Sequence, residues 1–152
     1  LDAVLKVNDR QRKRMAGRII DHFGGSLAGK RVAVWGLAFK ARTDDVRESP
    51  AHYVIKELLQ AGAEIVAFDP EAIETTKAVF EDSIRYESEP YAVLKGADAL
   101  AVLTEWHEFR RPDFEKVKAL LNDPVVFDGR NLFKPERMAE MGFDYTSVGR
   151  PR

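Results

Sequence analysis

The residues most able to do chemistry lie in a charged connection between a predicted strand and a predicted helix. Residues 36–50 read GLAFKARTDDVRESP, with a single glycine at Gly36. The charged side chains of this connection that could contact a ligand are Lys40, Arg42, Asp44, Asp45 and Arg47. Lys40 offers three donors suited to sugar hydroxyls or phosphate oxygens, and Arg47 offers a planar fork suited to a pyrophosphate or a ribose. Alternatively, the stretch is a solvated charged loop followed by a helix N-cap at Ser49.

The glycine content of this connection limits how it can bind a ligand. A dinucleotide-binding turn needs several glycines, so that backbone N–H groups can approach a pyrophosphate. Only Gly36 fits that pattern, which argues against a complete small NAD-dependent reductase. A connection at the carboxyl end of a strand still lies over the crevice where α/β folds bind ligands. Side chains must therefore make the contacts, and Asp44 and Asp45 could hold the cations in place.

Two further candidates follow predicted strands. Arg130 comes after Asp128-Gly129, a turn that can aim its guanidinium into the same crevice, although a surface arginine in a turn has the same pattern. Asp69 ends another strand, where it could grip a ribose or cap the next helix, and capping is the stronger interpretation. The three histidines are scattered without metal-ligand spacing, so no metal site is predicted.

The elements that must position these residues alternate along the chain. Strands are predicted at 31–36, 64–69, 98–104 and 124–129, with weaker candidates at 83–87 and 144–149. Helices are predicted at 52–62, 71–80, 89–96, 113–122 and 135–142. Uniformly apolar strands alternating with helices indicate a parallel sheet covered on both faces. The predicted fold class is therefore α/β: a single doubly wound, Rossmann-like, three-layer domain with five or six parallel strands.

Composition and the N-terminal residues complete the prediction. The chain has 152 residues, 45% hydrophobic and 32% charged, with a net charge of −1 and no cysteine, which excludes disulfides and a cysteine nucleophile within it. No secretory signal or membrane span is apparent, so we expect a cytoplasmic protein that binds neither membrane nor nucleic acid. Residues 1–25 form a predicted long connecting helix with a polar middle, and residues 26–152 form the α/β domain.

The charged connection resembles a motif of the C-terminal, UDP-binding domain of the UDP-glucose/GDP-mannose dehydrogenase family. The matching residues are Gly36, Phe39, Lys40, Thr43, Asp44, Asp45, Arg47, Glu48, Ser49 and Pro50. Further matches in order and spacing are NDRQ at 8–11, VAFDP at 66–70, TEW at 104–106 and FDGRNLF at 127–133. Together these segments cover nearly the whole chain.

The resemblance implies specific roles for four residues. It implies that Phe39, Lys40 and Arg130 contact a UDP-sugar, and that Arg47 reaches NAD bound to another domain. The parent enzyme of the family oxidises a nucleotide sugar at C6 with two NAD⁺, through a thiohemiacetal on a catalytic cysteine. That cysteine and the glycine-rich NAD loop lie in the N-terminal two-thirds of the family's chain.

The chain contains neither of those features, so the resemblance implies an isolated substrate-binding part that is inactive by itself. It assigns no catalytic residue to this sequence and leaves NAD mainly to the N-terminal half of the same enzyme. It also implies that the helix at 1–25 joins the two halves and takes part in a homodimer of the full-length enzyme. The competing hypothesis is a stand-alone nucleotide-binding regulatory module without catalysis.

Overall fold

The computed structural model describes residues 2–38 and 49–148, and the side chains of residues 10, 13–38 and 49–148. The strands are β1 Arg31–Trp35, β2 Glu64–Phe68, β3 Arg85–Tyr86, β4 Ala99–Val102, β5 Val125–Asp128 and β6 Asp144–Ser147. The α-helices are α1 Asp2–His22, α2 Pro50–Gln60, α3 Ile73–Phe80, α4 Phe114–Leu120 and α5 Pro135–Glu140. Short 3₁₀ turns span residues 81–83, 92–94 and 107–109.

The six strands form one parallel sheet in the order β3-β2-β1-β4-β5-β6. Val34 of β1 is in register with Ala67 of β2 on one side and with Ala101 of β4 on the other. The strand order therefore reverses between β1 and β4, which is the switch point where doubly wound sheets bind ligands at the carboxyl ends of their strands.

Alternate residues of β1 show how the two faces of the sheet are covered. Val32 and Val34 belong to one buried cluster, which includes residues of α1, α2 and α3. Ala33 and Trp35 belong to a second cluster, which includes residues of α4, α5 and the 3₁₀ turns. The sheet is buried on both sides, as its uniformly apolar strands require. The predicted doubly wound, three-layer α/β fold is confirmed, with six strands.

The end of α1 belongs to the core of this domain. Met15, Ala16 and Ile19 are buried against the sheet, whereas Arg10 is exposed. Arg18 donates from Nη1 to the carbonyl oxygen of Ser147 in β6 at 2.6 Å. The last turns of α1 thus cover part of one sheet face. The role of residues 1–25 as a connecting and dimerising helix stays a prediction.

Two local predictions need correction. The helix predicted at 89–96 is only a 3₁₀ turn at 92–94. Just before this turn, the Pro90 carbonyl oxygen accepts a hydrogen bond from the Trp35 side chain, from Nε1 at 2.8 Å. Ser49 and Pro50 do occupy the N-cap and first-turn positions of α2, but the Ser49 side chain makes no capping bond. Ser49 Oγ instead donates to the Leu37 carbonyl at 2.9 Å.

Candidate functional site

The turn after β1 requires glycine at its first position. Gly36 has φ +103°, and a Cβ added there would lie 2.5 Å from Thr104 Cβ and 2.6 Å from Thr104 N. A side chain is therefore excluded both by the backbone conformation and by the connection after β4. The Gly36 N–H donates to the Phe68 carbonyl at 2.9 Å, which extends the pairing with β2. The turn is thereby held between the carboxyl ends of β1, β2 and β4.

A buried carboxylate fixes the backbone of this turn. Asp69 follows β2 and is 2% exposed. Its Oδ2 accepts hydrogen bonds from the N–H groups of Leu37 at 2.7 Å and Ala38 at 3.1 Å, and from Trp106 Nε1 at 3.1 Å. Its Oδ1 accepts from the N–H groups of Glu71 and Ala72, each at 2.8 Å. Five donors use both oxygens, which leaves no acceptor for a ribose. The predicted helix cap needs correction, because α3 begins at Ile73 and Asp69 accepts from Glu71 and Ala72, which precede it.

The carbonyl groups of the same turn are also bound by side chains. Ser49 Oγ donates to the Leu37 carbonyl at 2.9 Å, and Thr104 Oγ1 donates to the Ala38 carbonyl at 3.0 Å. Ser49 stands on the far side of the charged connection in sequence, so both ends of segment 39–48 are fastened at one place. That place is the carboxyl end of β1, beside the switch point.

Three of the four predicted site residues lie outside the described part of the chain. Phe39, Lys40 and Arg47 all belong to segment 39–48, and their contacts therefore stay predictions. The structure does fix where their segment begins and ends, at Ala38 and Ser49.

The turn after β1 does not fit the pyrophosphate of a dinucleotide such as NAD. A dinucleotide loop offers free backbone N–H groups to the ligand. Here the N–H groups of Leu37 and Ala38 donate to the Asp69 carboxylate, and that of Gly36 donates to β2. A carboxylate occupies the place of the anion. The backbone of residues 36–38 therefore offers no free N–H group to a phosphate at this edge.

Arg130 lies at the same edge, beyond the end of β5. Asp128 is fully buried, and its Oδ1 accepts from the Arg130 N–H at 3.0 Å. Asp128 Oδ2 accepts from the Phe133 N–H at 3.0 Å and the Tyr145 hydroxyl at 2.7 Å, which secures the rest of the turn. Arg130 Nη2 donates to Glu105 Oε1 at 2.9 Å, and both side chains are 39% exposed. The other guanidinium N–H groups have no hydrogen-bond partner among the described residues.

Most residues that build this edge were not predicted from the sequence. Thr104, Glu105 and Asp128 were not identified for the bonds they make. A common signal was available, because Asp69, Thr104 and Asp128 are polar residues at or just after the end of an apolar strand, and all three are buried. Trp106, from the TEW match at 104–106, is 8% exposed, and its indole N–H donates to Asp69.

The electrostatics near the turn come from a few perturbed groups. His52, in the first turn of α2, lies with Nε2 3.0 Å from Thr76 Oγ1 and edge-on to Phe80. The pKa of His52 is lowered to about 4, chiefly by burial and also by Lys56, while Asp69 opposes the shift. His52 is therefore neutral at pH 7 and offers no charge to an anion. Among the described residues, no cluster of three or more histidine, aspartate or glutamate side chains could hold a metal ion.

The fold and this edge define the class of protein. The chain is a doubly wound α/β domain whose switch-point turn is closed to a dinucleotide and leaves ligand contacts to side chains. A family model described as "UDP-glucose/GDP-mannose dehydrogenase family, UDP binding domain" matches residues 33–135. The chain belongs to this family and corresponds to its UDP-binding domain.

Curated relatives and solved structures agree with the family. The chain is 42% identical to the UDP-glucose 6-dehydrogenase of Pseudomonas aeruginosa and 38% identical to that of Rhizobium meliloti, covering 100% and 99% of this chain. It spans 35% and 34% of those two proteins, about a third of their length.

Two solved structures have the same fold. A UDP-glucose dehydrogenase from Pyrobaculum islandicum matches with a TM-score of 0.76 at 34% identity, over 97% of this chain and 31% of that one. A UDP-D-ManNAc dehydrogenase from Pyrococcus horikoshii also gives 0.76, at 26% identity, over 95% of this chain and 32% of that one. Relatives named for different sugars thus share the fold. Within the described ranges, no helix is both long and apolar enough to cross a membrane.

Proposed function

We propose that this chain is the substrate-binding part of an NAD-dependent enzyme that oxidises UDP-glucose to UDP-glucuronate. Membership of the family and the resemblance to UDP-glucose 6-dehydrogenases over the whole chain support this choice of sugar. The observation that carries the proposal is the position of Arg130. Its guanidinium lies at the carboxyl edge of β5 and is oriented by Glu105, while Asp128 holds the backbone N–H of Arg130, and guanidinium donors are left for a ligand.

The proposed contacts divide between the two anchored segments of this edge. Phe39 and Lys40 contact the UDP-sugar from the segment that leaves the β1 turn, and Arg130 contacts it from the turn after β5. Arg47 reaches the NAD held by the N-terminal half of the enzyme. The anchoring of segment 39–48 at Ala38 and Ser49 supports this assignment, because it begins and ends at the edge where a substrate would lie.

The oxidation itself belongs to the full-length enzyme. Hydride acceptance is the chemistry that NAD supplies, and the turn after β1 does not fit that cofactor. The chain also has no cysteine to form a thiohemiacetal. What this chain contributes is binding and orientation of the nucleotide sugar, and α1 is the proposed connection to the NAD-binding half and to the second subunit of a homodimer.

Substitution of Arg130 tests the proposal. Arg130→Lys keeps the charge but loses the planar fork, so it is not conservative at a site that uses the fork. We expect the Kd of the chain for UDP, from an NMR titration, to rise about tenfold, which corresponds to about 1.4 kcal/mol.

Arg85→Lys is the matched control for this substitution. Arg85 also pairs with a glutamate, Glu64 at 3.1 Å, but at the amino ends of the strands. We expect this variant to bind UDP like the wild type. Equal Kd values for Arg130→Lys and the wild type would remove Arg130 from the proposed site.

A further inference from the structure

A basic cavity lies on the α4/α5 face of the domain. It has a volume of about 610 Å³ and lies between the connection after β4 and the segment from the β5 turn through α5. Its four charged lining residues are all cations and all exposed at the surface: Arg110, Arg111, Lys134 and Arg137. The cavity shares no residue with the turn at 36–38 or with Arg130.

The cations of this cavity lack counter-ions. No aspartate or glutamate lines it, and none of the four forms an ion pair with a described residue. Other arginines of the domain are paired, as Arg31 is with Glu64 and Arg130 with Glu105. Exposed acidic residues adjoin these cations in sequence, among them Asp113 and Glu136, but they do not line the cavity, so its charged lining is entirely positive. Such a patch attracts anions.

The remaining lining of the cavity is largely apolar and aromatic. Phe114 and Phe133 meet edge to face with their ring centroids 5.1 Å apart. Phe133 and Met138 are buried, whereas Phe114 is half-buried and contributes an accessible ring. The volume lies within the range of small-molecule sites, which are commonly about 300–1,000 Å³. The cavity therefore pairs a charged rim with a surface on which a flat apolar group can pack.

We propose that this cavity binds an organic polyphosphate of the nucleoside triphosphate class, separately from the UDP-sugar. Three arginines and a lysine pair with the phosphate oxygens, since guanidinium groups match phosphate geometry. The base packs on Phe114, in the apolar part of the lining that we call the apolar floor, as bases do on aromatic rings. Because the cations are exposed, each pair contributes little alone and is screened by salt. Binding therefore depends on their convergence and on the apolar floor.

An NMR titration of the 152-residue chain with ATP tests this proposal. We expect amide shifts at residues 110–114 and 134–141, and a Kd at least tenfold higher for the double variant Arg111→Ala/Arg137→Ala. The control Arg10→Ala/Arg14→Ala removes the same charge from exposed positions of α1 and should change the Kd less than twofold. Equal losses in both variants, no binding, or shifts confined to residues 36–38 and 130 would each overturn the proposal.

Tripolyphosphate separates a nucleotide site from a general phosphate site. It should bind at the same residues as ATP but more weakly, because it leaves the apolar floor uncovered. Phe114→Leu should reduce the affinity for ATP and leave that for tripolyphosphate unchanged. Equal affinities of the wild-type chain for the two ligands would contradict the proposed place of the base. UDP binding that maps to Arg130 is a separate result, so this proposal and the proposed function can fail independently.

Discussion

The Asp69 carboxylate offers the sharpest test of how the ligand-binding edge is held together. Asp69→Asn keeps the size of the side chain but replaces one acceptor oxygen with an NH₂ group. One oxygen of Asp69 accepts from three N–H groups and the other from two. In the better orientation the amide oxygen faces Leu37, Ala38 and Trp106. The NH₂ group then faces the N–H groups of Glu71 and Ala72.

The expected cost follows from those two donors. Asp69 and Ala72 are buried, so water does not replace the acceptor that the Ala72 N–H loses, whereas the exposed Glu71 can bind water instead. An unsatisfied buried donor costs about 1–3 kcal/mol. This is a large fraction of the free energy of unfolding of an ordinary domain, which is about 5–15 kcal/mol. The reverse orientation would leave three donors unpaired and cost more.

Urea unfolding at 10 °C, followed by tryptophan fluorescence and circular dichroism, measures this cost. Asp82→Asn is the control, because it makes the same chemical change at an exposed position and should alter the free energy of unfolding by less than about 0.5 kcal/mol. An Asp69→Asn variant within about 0.5 kcal/mol of the wild type would refute the reasoning, because the five hydrogen bonds would then not hold the turn.

Two further predictions concern residues around the same turn. Gly36→Ala should lower the free energy of unfolding by about 2–4 kcal/mol, because φ is positive there and the added Cβ would clash with Thr104. The control Gly24→Ala also has a positive φ, +82°, but open space around it, so it should lower the free energy of unfolding by only about 1–2 kcal/mol. The pKa of His52 is about 4 in the folded chain, against the ordinary value of 6.5 that applies when the chain is unfolded. As pH falls, His52 therefore takes up its proton in the unfolded chain before it does so in the folded chain. Stability should therefore decline between pH 6.5 and 4, by about 1–2 kcal/mol after allowing for solvent at this half-buried ring. In urea unfolding across this pH range, the free energy of unfolding of His52→Gln should decline less with falling pH than that of the wild type. An equal decline in both proteins would contradict the lowered pKa of His52.

The architecture was predictable because its signals are local. The runs at 31–36, 64–69 and 124–129 have continuous apolar centres at 32–35, 65–68 and 125–127, a pattern typical of strands in a sheet buried on both faces. The helix predicted at 89–96 failed because its pattern ignored a contact distant in sequence, the bond from Trp35 to the Pro90 carbonyl.

The site was only partly predictable, because its hydrogen bonds join distant parts of the chain. The sequence indicated that Asp69 caps the helix after it, yet α3 begins only at Ile73, and the donors to Asp69 include Leu37 and Trp106, which are far from it in sequence. Arg130 was identified from its turn and its motif, but Glu105 became its partner only once β4 and β5 lay side by side. The apolar residues Met15 and Ile19 after the polar middle of α1 predicted that this end of the helix packs, and both residues are buried in the core.

The most direct test of the central claim is the ligand preference of this chain, measured by isothermal titration calorimetry with UDP-glucose, UDP and NAD⁺. The turn after β1 is closed to a dinucleotide, and a substrate-binding part without its partner domain has fewer contacts to offer. We therefore expect UDP and UDP-glucose to bind near the millimolar range, about −4 kcal/mol, and NAD⁺ to bind at least tenfold more weakly. Tighter binding of NAD⁺ than of UDP would contradict the account.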